Sequence, residues 1–86
     1  MRQIKFELQA LEELEDWIRT HPKTAAKILD LLQEICKTPF EGKGKPEPLR
    51  HKFKGFWSRR ITESDRIIYE VTEQSINVIS CKGHYE

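Results

Sequence analysis

Cysteine is scarce in this chain: two residues in 86, Cys36 and Cys81, far apart and in different predicted elements. A secreted domain this small ordinarily carries a denser disulfide framework, so both read as reduced, buried thiols. Paired Cys or His spacing is absent and His21, His51 and His84 are scattered, which argues against a metal site. No apolar run reaches the length of about 18 residues that a spanning helix needs, so no membrane segment is expected. The opening "MRQIKFELQALEEL" is acidic and amphipathic and lacks the apolar stretch of a signal peptide, so a cytoplasmic location is expected. "EGKGK" lacks the Gly-x-x-x-x-Gly-Lys-Ser/Thr pattern that cradles phosphates, and no cofactor is implied. Repeats, linkers and low-complexity segments are also missing.

What is present fits one modest domain, residues 1–86. Hydrophobic residues make up 37% and charged residues 34%, enough for a thin interior. The net charge of +1 conceals an asymmetry. Residues 1–40 carry six Lys/Arg against seven Asp/Glu, whereas residues 43–60 carry seven Lys/Arg against Glu47 alone. That block suits a nucleic acid or an acidic partner, and equally a solvated basic loop.

The apolar periodicity changes along the chain. "MRQIKF" alternates as a short strand with Ile4 and Phe6 on one face. Leu8, Leu11, Leu14, Trp17 and Ile18 then recur at helical spacing. After His21-Pro22, with proline suited to a first turn, Ile28, Leu31, Leu32 and Ile35 form a second stripe. These two segments predict a helical hairpin. From Thr38 to Pro48 the chain is punctuated by Pro39, Gly42, Gly44, Pro46 and Pro48, which predicts a structured loop. "LRHKF", "GFWSRRIT", "RIIYEVT" and "SINVISCK" read as four consecutive strands with short turns. The layout β-α-α-β-β-β-β predicts an α+β domain: an antiparallel sheet with the hairpin on one face and the other face open.

Metal-free RNA cleavage needs a base for the 2′-hydroxyl, an acid for the 5′-oxygen and cations for the phosphate. Glu47, His84 and the arginines Arg50, Arg59, Arg60 and Arg66 supply these groups in or near the basic half. Phe53, Phe56, Trp57 and Tyr85 can stack on unpaired bases. Each also has a plainer role. Glu47 can merely balance nearby lysines, His51 can be a solvated strand residue, and Tyr69, alternating with Ile67 and Val71, reads as core. On spacing alone, a basic binding module leads nuclease chemistry. Register bears on the arginines. A two-residue turn at Glu63-Ser64 pairs Ile61 with Arg66 and puts Arg59 on the face of Arg66; a bulge or longer turn selects Arg60 instead.

"TPFEGKGKPEPLRHKFKGFWSRRITESDRIIYEVT", followed by "CKGHYE", closely resembles the YoeB-type (Txe/YoeB) toxins of bacterial toxin–antitoxin pairs, in the RelE superfamily. The match runs over essentially the whole chain and is densest from Thr38 to Thr72. The resemblance implies a RelE-like microbial ribonuclease fold and a ribosome-dependent endoribonuclease that cuts mRNA in the A site. It implies inhibition by a cognate YefM/Phd-like antitoxin and binding of operon DNA only as the toxin–antitoxin complex; homodimers are common among such relatives. By the same resemblance Glu47 is the general base, His84 the general acid, Arg66 the phosphate-steadying arginine, and Tyr85 a substrate-positioning residue. Arg50 and Arg60 match basic site positions, and Lys43, Lys45 and Lys52 belong to the RNA-facing ground. The chain adds Glu86 after Tyr85, an extra acid expected to weaken anion binding slightly. An ordinary glutamate, with a pKa of about 4.3, is a weak base. Weak activity on free RNA, and strong activity only in a preformed ribosomal complex, is therefore expected.

Overall fold

The computed structural model describes residues 2–83. Strand β1 (Gln3–Phe6) is followed by helices α1 (Leu8–Thr20) and α2 (Pro22–Lys37). Four strands follow: β2 (Glu47–Pro48), β3 (Phe56–Arg60), β4 (Arg66–Val71) and β5 (Ser75–Ser80). They form one sheet in the order β1-β5-β4-β3-β2. The expected α+β layout therefore holds, with one addition. Strands β2 to β5 pair antiparallel, but β1 lies parallel to β5, with Ile4 beside Ile76 and Phe6 beside Val78. The two helices between β1 and the meander allow that parallel return.

The core lies between the hairpin and one sheet face. Ile28, Leu31, Leu32 and Ile35 of α2 are buried, as their spacing predicts, against Ile67, Tyr69, Ile76 and Val78 of the sheet. In α1 the buried set is rotated from the expected stripe. Ala10, Leu14 and Trp17 face inward, while Leu8, Leu11 and Ile18 are exposed. Trp17 fixes this rotation by donating its indole N–H to the Cys81 carbonyl at 2.8 Å. A buried indole must find such an acceptor. No helix among the described residues is long and apolar enough to cross a membrane.

The segment expected to be a strand at "LRHKF" is not one. His51–Phe53 form a single 3-10 turn, entered with His51 at φ 58°. The strand falls earlier and is only two residues long, on the edge beside β3. Proline tolerates that edge because it has no N–H to give a further neighbour. Leu49 N–H still donates to the Phe56 carbonyl at 2.8 Å, which closes the hairpin before the chain turns away.

Candidate functional site

The loop between α2 and β2 is folded around one buried cation. Arg59 is wholly buried. Its Nη1 donates to Glu34 Oε1 at 2.5 Å and to the Lys43 carbonyl at 3.3 Å. Its Nη2 donates to the carbonyls of Thr38 and of Glu41, the latter at 2.7 Å. Its Nε reaches the Tyr69 hydroxyl at 3.2 Å, and that hydroxyl donates to the Pro39 carbonyl at 2.7 Å. One guanidinium thus gathers three loop carbonyls, a carboxylate and a phenol. The arginine fork can do this because its donors are rigid and planar. The Lys43 N–H, 2.7 Å from Glu34 Oε1, holds that carboxyl below its usual pKa against the opposing push of burial, and Arg59 adds to the lowering.

From this hub the chain crosses onto β3. The Gly44 carbonyl accepts the Arg60 N–H at 2.6 Å. Gly44 has φ 82°, and a Cβ there would meet the Arg60 carbonyl oxygen at 3.0 Å. Two residues after Lys45, at φ 50°, Glu47 joins the sheet opposite Ser58.

Register then decides which side chains share a face. Paired residues project from the same side of a sheet and successive residues alternate. Glu47 pairs with Ser58, Ser58 with Ile68, and Ile68 with Ser80. From Glu47 to Ile68 this row lies on the side away from the helices; in the β4–β5 ladder a register shift between Ile68 and Tyr69 interrupts the alternation. Arg60 pairs with Arg66, two residues along each strand from Ser58 and Ile68, and so projects from the same side. Arg59 pairs with Ile67 on the core side. The two-residue turn considered from sequence does not form. Ile61 N–H and Thr62 N–H both donate to the Asp65 carbonyl, at 2.9 and 3.3 Å, around a longer turn. That length selects Arg60, not Arg59, as the companion of Arg66.

Arg66 is held from its own turn. Its Nη1 donates to the carbonyls of Thr62, Glu63 and Asp65 at 2.8, 3.2 and 3.0 Å. Its backbone N–H donates to the Gly83 carbonyl at 2.8 Å, so the chain beyond β5 returns to the start of β4. His84 and Tyr85, the expected acid and its neighbour, lie outside the described residues, as does Glu86. Gly83, directly before them, sits beside Arg66.

The remaining basic candidates surround this face more loosely. Arg50, Lys43, Lys45 and Lys52 are exposed. Lys52 lies over the Phe53 ring at 5.3 Å from its centroid. On the helix side, a cleft of about 350 Å³ is bounded by Lys43, Gly44 and the end of β3 at Arg60, with Lys27 and Asp30 of α2 also lining it. Among the described residues, Glu47 and Arg60 make no side-chain ion pair. Their charges are therefore not neutralised there, unlike that of Arg59.

Sequence reasoning left Arg59 undecided and assigned Tyr69 to the core without its hydroxyl's role. A signal was available. Trp57, Arg59 and Ile61 alternate, and two apolar residues flanking a cation at period two mark the core face.

Comparison with known proteins gives the same frame. The model of the YoeB-like toxins of bacterial type II toxin–antitoxin systems matches residues 6–85. Toxin YoeB of Escherichia coli (strain K12) is 51% identical over 69 residues, 80% of this chain and 82% of that protein. The solved YoeB/ParE toxin from Agrobacterium tumefaciens superposes with a TM-score of 0.93 at 41% identity, covering 96% of this chain and 99% of that one. The YoeB–YefM complex from Staphylococcus aureus aligns at a TM-score of 0.88 and 37% identity, over 99% of each chain. The chain belongs to the family of YoeB-like toxins of bacterial type II toxin–antitoxin systems.

Proposed function

We propose that this toxin is a ribosome-dependent endoribonuclease that cuts mRNA in the A site and so arrests translation in the cytoplasm. The observation that carries the reading is the strand register. It puts Glu47, Arg60 and Arg66 on one side of the sheet, with Gly83, the residue before His84 in sequence, hydrogen-bonded to the Arg66 backbone.

The chemistry follows from those groups. Glu47 takes the proton from the 2′-hydroxyl, and the 2′-oxygen attacks phosphorus. The bond from phosphorus to the 5′-oxygen breaks, and His84 gives its proton to that oxygen. The products are a 2′,3′-cyclic phosphate and a 5′-hydroxyl. Arg66 and Arg60 stabilise charge on the phosphate oxygens in the transition state, where oriented cations have most effect. Tyr85 positions the substrate. No metal is required, because the nucleophile belongs to the substrate and both proton transfers have a side chain to serve them. Arg50, Lys43, Lys45 and Lys52 hold the RNA backbone. A small YefM-like antitoxin would mask the toxin, as the Staphylococcus aureus complex illustrates for its own chain. Operon DNA would be bound only by that pair.

Comparing naked RNA with ribosome-bound message tests the reading. Cleavage should be strong on the ribosome and weak on free RNA, with cyclic phosphate ends. Equal rates on both substrates would contradict the requirement for the ribosome.

A further inference from the structure

We propose that Asp65 is a positioning residue for the proposed general acid: its carboxylate clamps the backbone of Gly83, the residue directly before His84 in the chain. The inference rests on the nuclease reading above and assigns a part of the site that reading does not use.

Both polar groups of the Gly83 backbone are held by two adjacent residues. Its N–H donates to Asp65 Oδ1 at 2.8 Å, and its carbonyl accepts the Arg66 N–H at 2.8 Å. With φ 70°, Gly83 adopts the left-handed conformation that lets the chain turn there. The carboxylate itself cannot swing. Asp65 Oδ2 accepts the Thr62 hydroxyl at 2.7 Å, and the Thr62 oxygen accepts the N–H groups of Ser64 and Asp65, both at 3.1 Å. Hydrogen bonds to an ionised carboxylate are roughly twice as strong as neutral ones, so this clamp is firm for its size. One turn, residues 62–65, therefore aims the Arg66 guanidinium through its carbonyls and restrains Gly83 through Asp65.

The clamp is separable from the fold. Without the Asp65 carboxylate the turn still closes through the Ile61 and Thr62 N–H groups on the Asp65 carbonyl. The preceding residues remain tied to α1. Cys81 N–H donates to Glu13 at 2.9 Å, Trp17 donates to the Cys81 carbonyl, and Lys82 pairs with Asp16 at 3.1 Å. Only the carboxylate's bonds to the Gly83 N–H and the Thr62 hydroxyl are lost.

The test measures two things on the full chain in Asp65→Ala and Asp65→Asn: amide hydrogen exchange at Gly83, and the cleavage rate on ribosome-bound message. Asp65→Ala is expected to lower the melting temperature only slightly, through the loss of two local hydrogen bonds, and to leave KM nearly unchanged. It should speed Gly83 exchange about tenfold, since a local bond is lost without global unfolding. It should lower kcat by roughly 10–100-fold, the scale of a misplaced catalytic group. Asp65→Asn keeps an oxygen that can accept the Gly83 N–H and should recover most of both. Unchanged Gly83 exchange or unchanged kcat in Asp65→Ala overturns the proposal, as does a kcat loss explained by a lowered melting temperature. A wild type that leaves message uncut overturns the nuclease reading and the positioning role with it, while Gly83 protection would still report the clamp itself.

Discussion

Arg60 stands directly across the ladder from Arg66, while Arg59, one residue earlier, is wholly buried and spends its guanidinium on the loop that leads to Glu47. Two adjacent arginines of the same strand therefore have opposite duties. One is exposed and the other holds the scaffold.

Substitution should separate them. Arg60→Ala is expected to fold with a nearly unchanged urea midpoint and to lose cleavage. Arg59→Ala strips a buried cation from its carboxylate and leaves the loop carbonyls and the Tyr69 hydroxyl without their donor. Breaking a buried pair from one side costs about 3–5 kcal/mol. That is a large share of the roughly 5–15 kcal/mol by which a domain is stable. Equilibrium unfolding of the two variants checks this, and equal destabilisation would contradict the assignment.

Gly44 should be intolerant for two reasons that act together. Its φ of 82° disfavours a side chain, and a Cβ would press on the Arg60 carbonyl at 3.0 Å and on Arg59 Cβ at 3.3 Å. Strain of this kind costs about 1–3 kcal/mol. Gly55 has φ 97° with nothing within 4 Å of the added carbon. Gly44→Ala is thus expected to lower both stability and cleavage, and Gly55→Ala to lower stability less and leave the cleavage rate intact. Paired melting curves and cleavage assays distinguish them.

The acid limb of stability should trace partly to Glu34. Its folded pKa is lowered chiefly by the Lys43 N–H, against the upward push of burial, with Arg59 assisting. A lowered folded pKa means that the contribution is complete above the unfolded value of about 4.3 and is lost as pH falls through the lower folded value. Asp65 acts in the same direction. Burial raises its pKa, but the Gly83 N–H, the Thr62 hydroxyl and the charges of Lys82 and Arg66 outweigh it. Urea midpoints measured from neutral pH downward should fall below about pH 4.5, and Glu34→Gln should start lower and decline less.

Neither thiol should react in the native state. Burial raises the Cys36 thiol, and burial with Glu13 and Asp65 pushes Cys81 up to about 12. The thiolate is the reactive form, so a thiol reagent at neutral pH should label neither until denaturant is added. Rapid labelling of Cys81 in folded protein would contradict its burial at 1% exposure.

Much of this architecture is legible in the residues. The α2 stripe, the punctuated loop and the last three strands follow from periodicity and from proline and glycine placement. The errors have physical causes. In α1 the apolar stripe is wider than the face that packs, and the indole bond from Trp17 to Cys81 chooses the rotation over Leu8, Leu11 and Ile18. The parallel pairing of β1 depends on contacts across the whole chain, which no local pattern encodes. "LRHKF" has strand-like residues, but His51 turns left-handed and closes a 3-10 turn. For the candidate site, chemistry and resemblance single out Glu47 and Arg66, and the strand register sets them on one side of the sheet. The choice of Arg60 over Arg59 turns on the length of the β3–β4 turn, where a shift of one residue in register exchanges the two.

The central claim is that Glu47 and His84 carry proton transfer while Lys43, Lys45 and Lys52 only bind. Mapping message cleavage in a translating extract with wild type, Glu47→Ala, His84→Ala and a Lys43, Lys45 and Lys52 charge-reversal variant tests it most directly. The account predicts A-site cuts by wild type, and losses of roughly 10²–10⁴-fold in each of the two alanine variants with ribosome binding retained. The lysine variant should lose binding first. Undiminished cleavage by Glu47→Ala, or intact message with the wild type, would contradict it.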